Sequence, residues 1–144
     1  MHFKPEEIPL ISPEKEGGGC MRSIKAGEME IGFTWTTGPA DYSSVYEGLP
    51  GNVCPCDHYG YIFSGRIRAR YEDGTEEVIG PGEVYWIPKG HVLIYEEATH
   101  HLEINNHEQL RALMDVVRAN AAKQQAAQDA ASSDEPQDAN GGLT

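Results

Sequence analysis

Turn residues punctuate this chain at short intervals, and that punctuation limits what it can fold into. Gly38-Pro39-Ala40-Asp41, Gly48-Leu49-Pro50-Gly51, Asp73-Gly74, Gly80-Pro81-Gly82 and Pro88-Lys89-Gly90 break the middle of the sequence into short segments. Inside the segments apolar and polar residues alternate, the period of a strand with one covered face. Residues 29–36 place Ile31, Phe33 and Trp35 on one face. Residues 58–72 form the longest such pattern, with Ile67, Ala69 and Tyr71 set against Arg66, Arg68 and Arg70. Gly65 interrupts it and predicts a bulge or tight corner. Asp73-Gly74 predicts a two-residue type I′ hairpin, whose central residues both need positive φ. Thr75 to Ile79 then returns antiparallel. Tyr42 to Glu47, Val84 to Ile87, Val92 to Tyr95 and His101 to Ile104 read as further strands, and Ile8, Leu10 and Ile11 as a short one docked on a sheet edge. Strands joined by tight turns, with no long helix among them, predict an all-β antiparallel sandwich or barrel.

Near Asn105 the period changes. Asn106 followed by Gln109 resembles a capping box, and Leu110, Leu113, Met114 and Val117 recur at helical spacing. The expected order is an N-terminal arm over 1–28, a barrel over 29–105, a helix over 106–121 and a disordered acidic tail over 122–144. The helix stripe reads first as core packing and second as a dimer contact. A length of 144 residues suits one core.

A net charge of −12 argues against nucleic acid and anionic membrane as partners, because both need cationic patches. No apolar run is long enough for a membrane span. The first residues, Met1-His2-Phe3-Lys4-Pro5-Glu6-Glu7, lack the basic and apolar regions of a secretory signal, so a cytoplasmic location is expected. Three cysteines do not make a disulfide framework and read better as thiols or metal ligands. Cys20 has no partner nearby in sequence and is taken as a bystander.

Chemistry concentrates in Cys54-Pro55-Cys56-Asp57-His58. If this stretch is extended, Cys54, Cys56 and His58 share a face and Asp57 lies on the other. His91 directly follows the Pro88-Lys89-Gly90 turn and is positioned to arrive as a fourth ligand. Thiolate and imidazole donors favour zinc, which binds them tetrahedrally. Four protein ligands would close the shell, whereas three would leave a place for water, as hydrolytic or lyase chemistry needs. The plainer alternatives are small inert cysteines lining a core and hydrogen-bonded core histidines. His100 and His101 are expected at the sheet surface. Tyr59, Tyr61, Tyr71, Tyr85 and Trp86 read as core first and as pocket lining second. No Ser-His-Asp arrangement or phosphate-binding glycine loop is legible, and Glu76-Glu77 and Glu96-Glu97 read as solvated faces.

Gly82-x5-Pro88-x-Gly90, preceded by the Asp73-Gly74 hairpin and by Tyr61-Ile62-Phe63-Ser64-Gly65, resembles the two motifs of the cupin superfamily. The resemblance covers roughly residues 50–95. It implies a small antiparallel double-stranded β-barrel, the cupin jelly roll, here with a C-terminal α-helix. The family is often dimeric and often holds one divalent metal inside. The superfamily's usual set of three histidines and a glutamate is not reproduced. Its glutamate position falls on His58, its first two histidine positions on Asn52 and Cys54, and its last on Leu93. A Cys54, Cys56, His58 and His91 set takes its place, favouring zinc over iron, nickel or manganese. The arrangement looks like a group of small bacterial cupins of unassigned function. The function implied is a metal-binding cupin that binds or transforms a small organic molecule inside the barrel. The alternative is a non-enzymatic binding or structural module whose metal, if any, only holds the fold.

Overall fold

The computed structural model describes residues 1–12 and 19–133. The sequence reads as a loop over 14–19; residues 14–18 of it and the end of the expected tail, 134–144, lie outside the described residues, and Gly19 begins β2. The strands are β1 (Leu10–Ser12), β2 (Gly19–Ala26), β3 (Met29–Thr36), β4 (Ala40–Asp41), β5 (His58–Ser64), β6 (Ile67–Tyr71), β7 (Glu76–Ile79), β8 (Val84–Ile87), β9 (His91–Tyr95) and β10 (Thr99–Asn106), followed by helix α1 (His107–Ser133). They pair antiparallel in two sheets, one in the order β1-β2-β3-β10-β5-β8 and the other β4-β9-β6-β7. The expected closed barrel is instead a two-sheet sandwich of the jelly-roll kind. Among the described residues its sheets are stitched by one isolated bridge, Cys54 to His91.

Several local expectations change. The N-terminal arm contributes β2, which pairs with β3 along its whole length, and β1, which docks on the edge of β2. Tyr42–Tyr46 is a 3-10 turn rather than a strand, begun by Asp41, whose carboxylate accepts the Ser43 backbone N–H at 2.8 Å. At Asp73-Gly74 only Gly74 has positive φ, +83°. The Tyr71 N–H donates to Thr75 O at 2.9 Å and the Gly74 N–H to Tyr71 O at 3.0 Å. The loop is therefore three residues long and closes with a left-handed glycine, so Asp73 keeps an ordinary backbone. Its side chain instead accepts the Thr75 N–H at 2.9 Å.

Helix α1 begins where its cap predicts. Asn106 Oδ1 accepts the Gln109 N–H at 3.1 Å. Leu110 and Leu113 are its buried residues, and it continues past the expected end at 121 to Ser133. Its first turns are latched to β3 by Glu30, which is fully buried. Ser23 donates to Glu30 at 2.5 Å, His107 at 2.6 Å and Arg111 Nε at 3.1 Å. Burial alone would raise the Glu30 pKa, but these donors hold it below its ordinary value.

The main core lies between the sheets around Ile62, Ile67, Ile79, Ile87, Leu93 and Tyr95. β3 and β10, in the centre of the six-stranded sheet, run against the apolar-inside rule. Their inward residues include Glu30, Thr36, Thr99, His101, Glu103 and Asn105, all buried. Ile31, Phe33, Trp35, Leu102 and Ile104 face outward and are half-buried. Gly60 on β5 permits the packing beside them. A Cβ there would lie 2.0 Å from Leu102 O and 2.4 Å from Tyr85 Oη.

Candidate metal centre

The Cys54–His58 stretch is built as its alternation predicts. Cys54, Cys56 and His58 are buried, while Pro55 is exposed and Asp57 half-buried. Asp57 points elsewhere and accepts the Lys89 backbone N–H at 2.9 Å, bracing the Pro88-Lys89-Gly90 turn. That turn delivers His91. The Cys54 N–H donates to His91 O at 2.7 Å, and the Gly90 N–H donates to Cys54 O at 2.8 Å. Two backbone bonds thus hold residues far apart in sequence side by side.

One ligand atom from each of Cys54, His58 and His91 lies within 4.8 Å of the other two. This buried Cys/His/His cluster has the composition and spacing to hold a metal ion. His91 Nδ1 donates to Pro88 O at 2.6 Å, which places the ring proton on that nitrogen. His91 Nε2 is buried and has no hydrogen-bond partner among the described residues. A buried nitrogen lone pair left bare costs free energy that coordination would recover. His58 is oriented in the same way. Its Nδ1 meets Asn105 Oδ1 and lies 3.0 Å from Glu103 Oε1, while Nε2 is 3.2 Å from Cys54 Sγ. The donor set therefore fits a metal.

Cys56 is fully buried beside Cys54 but is not one of the three clustered residues. Its backbone N–H reaches Cys54 Sγ at 3.5 Å. The hydrogen bond between the two thiols, with burial second, pushes the Cys54 thiol far up. The same bond lowers the Cys56 thiol. Burial holds His91 down at about 4. Burial would also lower His58, but the Glu103 carboxylate prevails and raises it to about 9. Glu103 is held at about 2, because the adjoining His58 outweighs burial.

Sequence reasoning missed Glu103, Asn105 and His101. His101 was expected at the surface, yet it is fully buried, 3.0 Å from Tyr85 Oη and 3.3 Å from Tyr95 Oη. His100 keeps to the outer face, stacked on Trp35 at 4.5 Å. The only available signal was that Thr99, His101, Glu103 and Asn105 alternate with His100, Leu102, Ile104 and Asn106. Which of those faces turned inward was not written in β10 itself. Of the five aromatics read as core, Tyr85 alone is buried, and Tyr59 and Trp86 are exposed.

No protein-family model matches the sequence, and no curated protein matches it. Solved structures do. An RmlC-like cupin from Shewanella frigidimarina aligns with a TM-score of 0.50 at 14% identity, covering 73% of this chain and 89% of that one. The iron(II) form of HppE aligns with a TM-score of 0.52 at 8% identity, covering 73% of this chain. The Clostridium difficile EutQ protein aligns with a TM-score of 0.45 at 15% identity, covering 61% of each chain. This chain spans 59% of the HppE chain and 61% of the EutQ chain. The architecture is that of the cupins. Within it, this chain carries a buried Cys/His/His cluster.

Proposed function

We propose that the protein is a zinc-binding cupin that holds the ion on Cys54, His58 and His91 and binds or transforms a small organic molecule between its sheets. The unpartnered, buried Nε2 of His91 carries this reading. One thiolate and two imidazoles suit zinc better than iron, nickel or manganese, and three protein ligands leave a position for water or substrate. Bound there, the ion would act as a Lewis acid and lower the pKa of a coordinated water. The chain's own residues do the positioning. Glu103 and Asn105 hold the His58 ring, and Pro88 O holds that of His91.

The second reading is a structural metal, and the place of Cys56 favours it. A turn of its side chain would add a second thiolate and close the shell, making the protein a non-enzymatic module. Zinc-edge X-ray absorption on protein purified without chelator distinguishes the two. One sulfur with two nitrogens and an oxygen supports the open site, and two sulfurs with two nitrogens support the closed one. Absence of stoichiometric metal removes both. His91→Ala is expected to abolish zinc retention while leaving the fold intact by circular dichroism.

A second copy of the chain is the proposed partner of the outer sheet face. Val84, Trp86, Phe63 and Tyr59 are exposed there, and isolated domains rarely leave such a contiguous apolar face open. The face is almost uncharged in a chain of net charge −12, so two copies can meet without facing like charges.

A further inference from the structure

Between α1 and the inner face of the six-stranded sheet lies a cavity of about 120 Å³ that touches His58 at one end. Its walls are mostly apolar: Leu113 and Met114 of α1, Leu93 of β9, and Tyr46. Polar atoms enter from His58, from the tyrosines and, side by side on the sheet, from Thr34 and Glu103. The last two have unused hydrogen-bonding capacity. Thr34 Oγ1 is buried without a hydrogen-bond partner among the described residues. Glu103 Oε1 takes the Asn105 side-chain N–H at 2.8 Å and faces His58 Nδ1 at 3.0 Å. Glu103 Oε2 is 3.7 Å from His101 Nδ1, beyond hydrogen-bonding distance. Thr34 pairs with His101 across β3 and β10, and Gly32 pairs with Glu103. Thr34 and Glu103 are therefore diagonal neighbours on one face.

We propose that this cavity takes a small, uncharged, mostly apolar molecule bearing one hydroxyl, of the size of a monocyclic phenol or a short branched alcohol. A hydroxyl both donates and accepts. Here it donates to Glu103 Oε2 and accepts from Thr34 Oγ1, satisfying both at once. The apolar remainder fills the space under α1. An apolar cavity of about 150 Å³ accommodates benzene, so one ring is the upper size here. An anionic ligand is excluded by the carboxylate, which an uncharged end meets without repulsion. This inference rests on the proposed metal-site reading only in that the hydroxyl is delivered beside His58. Of the three proposed ligands, His58 alone lines the cavity; Cys54 and His91 do not.

The test uses phenol, toluene and benzoate as probes, titrated into the full chain by ligand-observed NMR and calorimetry, with zinc content measured on the same samples. Phenol is expected to bind one site per chain at least about tenfold tighter than toluene, and benzoate more weakly than phenol. Thr34→Val keeps the shape and is expected to weaken phenol about five- to tenfold while leaving toluene unchanged. Met114→Trp, at a half-buried position, is expected to fill the cavity and block both. Equal affinity for phenol and toluene, an unaffected Thr34→Val protein, or no phenol binding at all overturns the inference. Full zinc content without phenol binding overturns this inference and leaves the metal reading standing. Phenol binding without zinc uptake does the reverse.

Discussion

At the scale of single residues, the site depends on which atom of each side chain is committed elsewhere. His91 commits Nδ1 to a backbone carbonyl and His58 commits Nδ1 to Asn105 and Glu103, so both present Nε2 inward. Glu103 is a positioning residue for His58. Glu103→Gln is expected to lower zinc affinity about 10- to 100-fold, measured by competition with a chromophoric chelator. Gly60 shows the same dependence on single atoms in packing. Gly60→Ala is expected to destabilise the fold by about 1–3 kcal/mol in urea denaturation. Adding Tyr85→Phe removes the hydroxyl contact but leaves the Leu102 carbonyl 2.0 Å from the new Cβ, so the double variant should stay destabilised.

At the scale of elements, the informative object is the join between α1 and β3. The helix has few buried residues, and its position over the cavity depends on Glu30 accepting from Ser23, His107 and Arg111. Glu30→Gln is expected to cost about 2–3 kcal/mol, because charge-assisted bonds to a buried carboxylate are lost. The pH dependence follows from the same residue. Its pKa is lower in the folded state than the ordinary 4.5. Its stabilisation is therefore complete above about 4.5 and lost as pH falls through the lowered folded value. The wild-type protein should lose stability in that acid window more steeply than Glu30→Gln, as followed by tryptophan fluorescence. α1 itself was legible from Asn106, Gln109 and the Leu110–Val117 stripe. Its run to Ser133 was not, because the alanine-rich residues past 121 bury nothing large and carry only helix propensity.

At the scale of the whole molecule, the two faces of the six-stranded sheet divide the functions proposed here. The inner face gives His58 to the candidate metal centre and one wall to the cavity, and the outer carries stacked aromatics such as Tyr59 on Trp86 and Phe33 on Phe63. If that outer face pairs two copies, Trp86→Glu should convert the assembly to monomer in sedimentation velocity without altering zinc content. A wild-type protein that sediments as a monomer at high concentration removes the homodimer.

The spacing of turns and the alternation between them determined, without coordinates, that this chain would be an antiparallel all-β domain closed by a helix. The Cys54-x-Cys56-x-His58 periodicity likewise determined that these three side chains would share a face, since alternation is a local property of extended backbone. Which side of a strand faces the interior is not local. Ile31, Phe33 and Trp35 look like core in β3 alone, yet the fold turns them outward and brings Glu30, Thr34, Glu103 and Asn105 in. The register of β3 on β10 sets polar residues beside polar and apolar beside apolar, and the packing of the second sheet and α1 decides which set is covered. Only tertiary structure decided that His91, rather than Cys56, completes the cluster with Cys54 and His58. Two backbone hydrogen bonds across a turn make that choice, and their partners lie in separate parts of the chain.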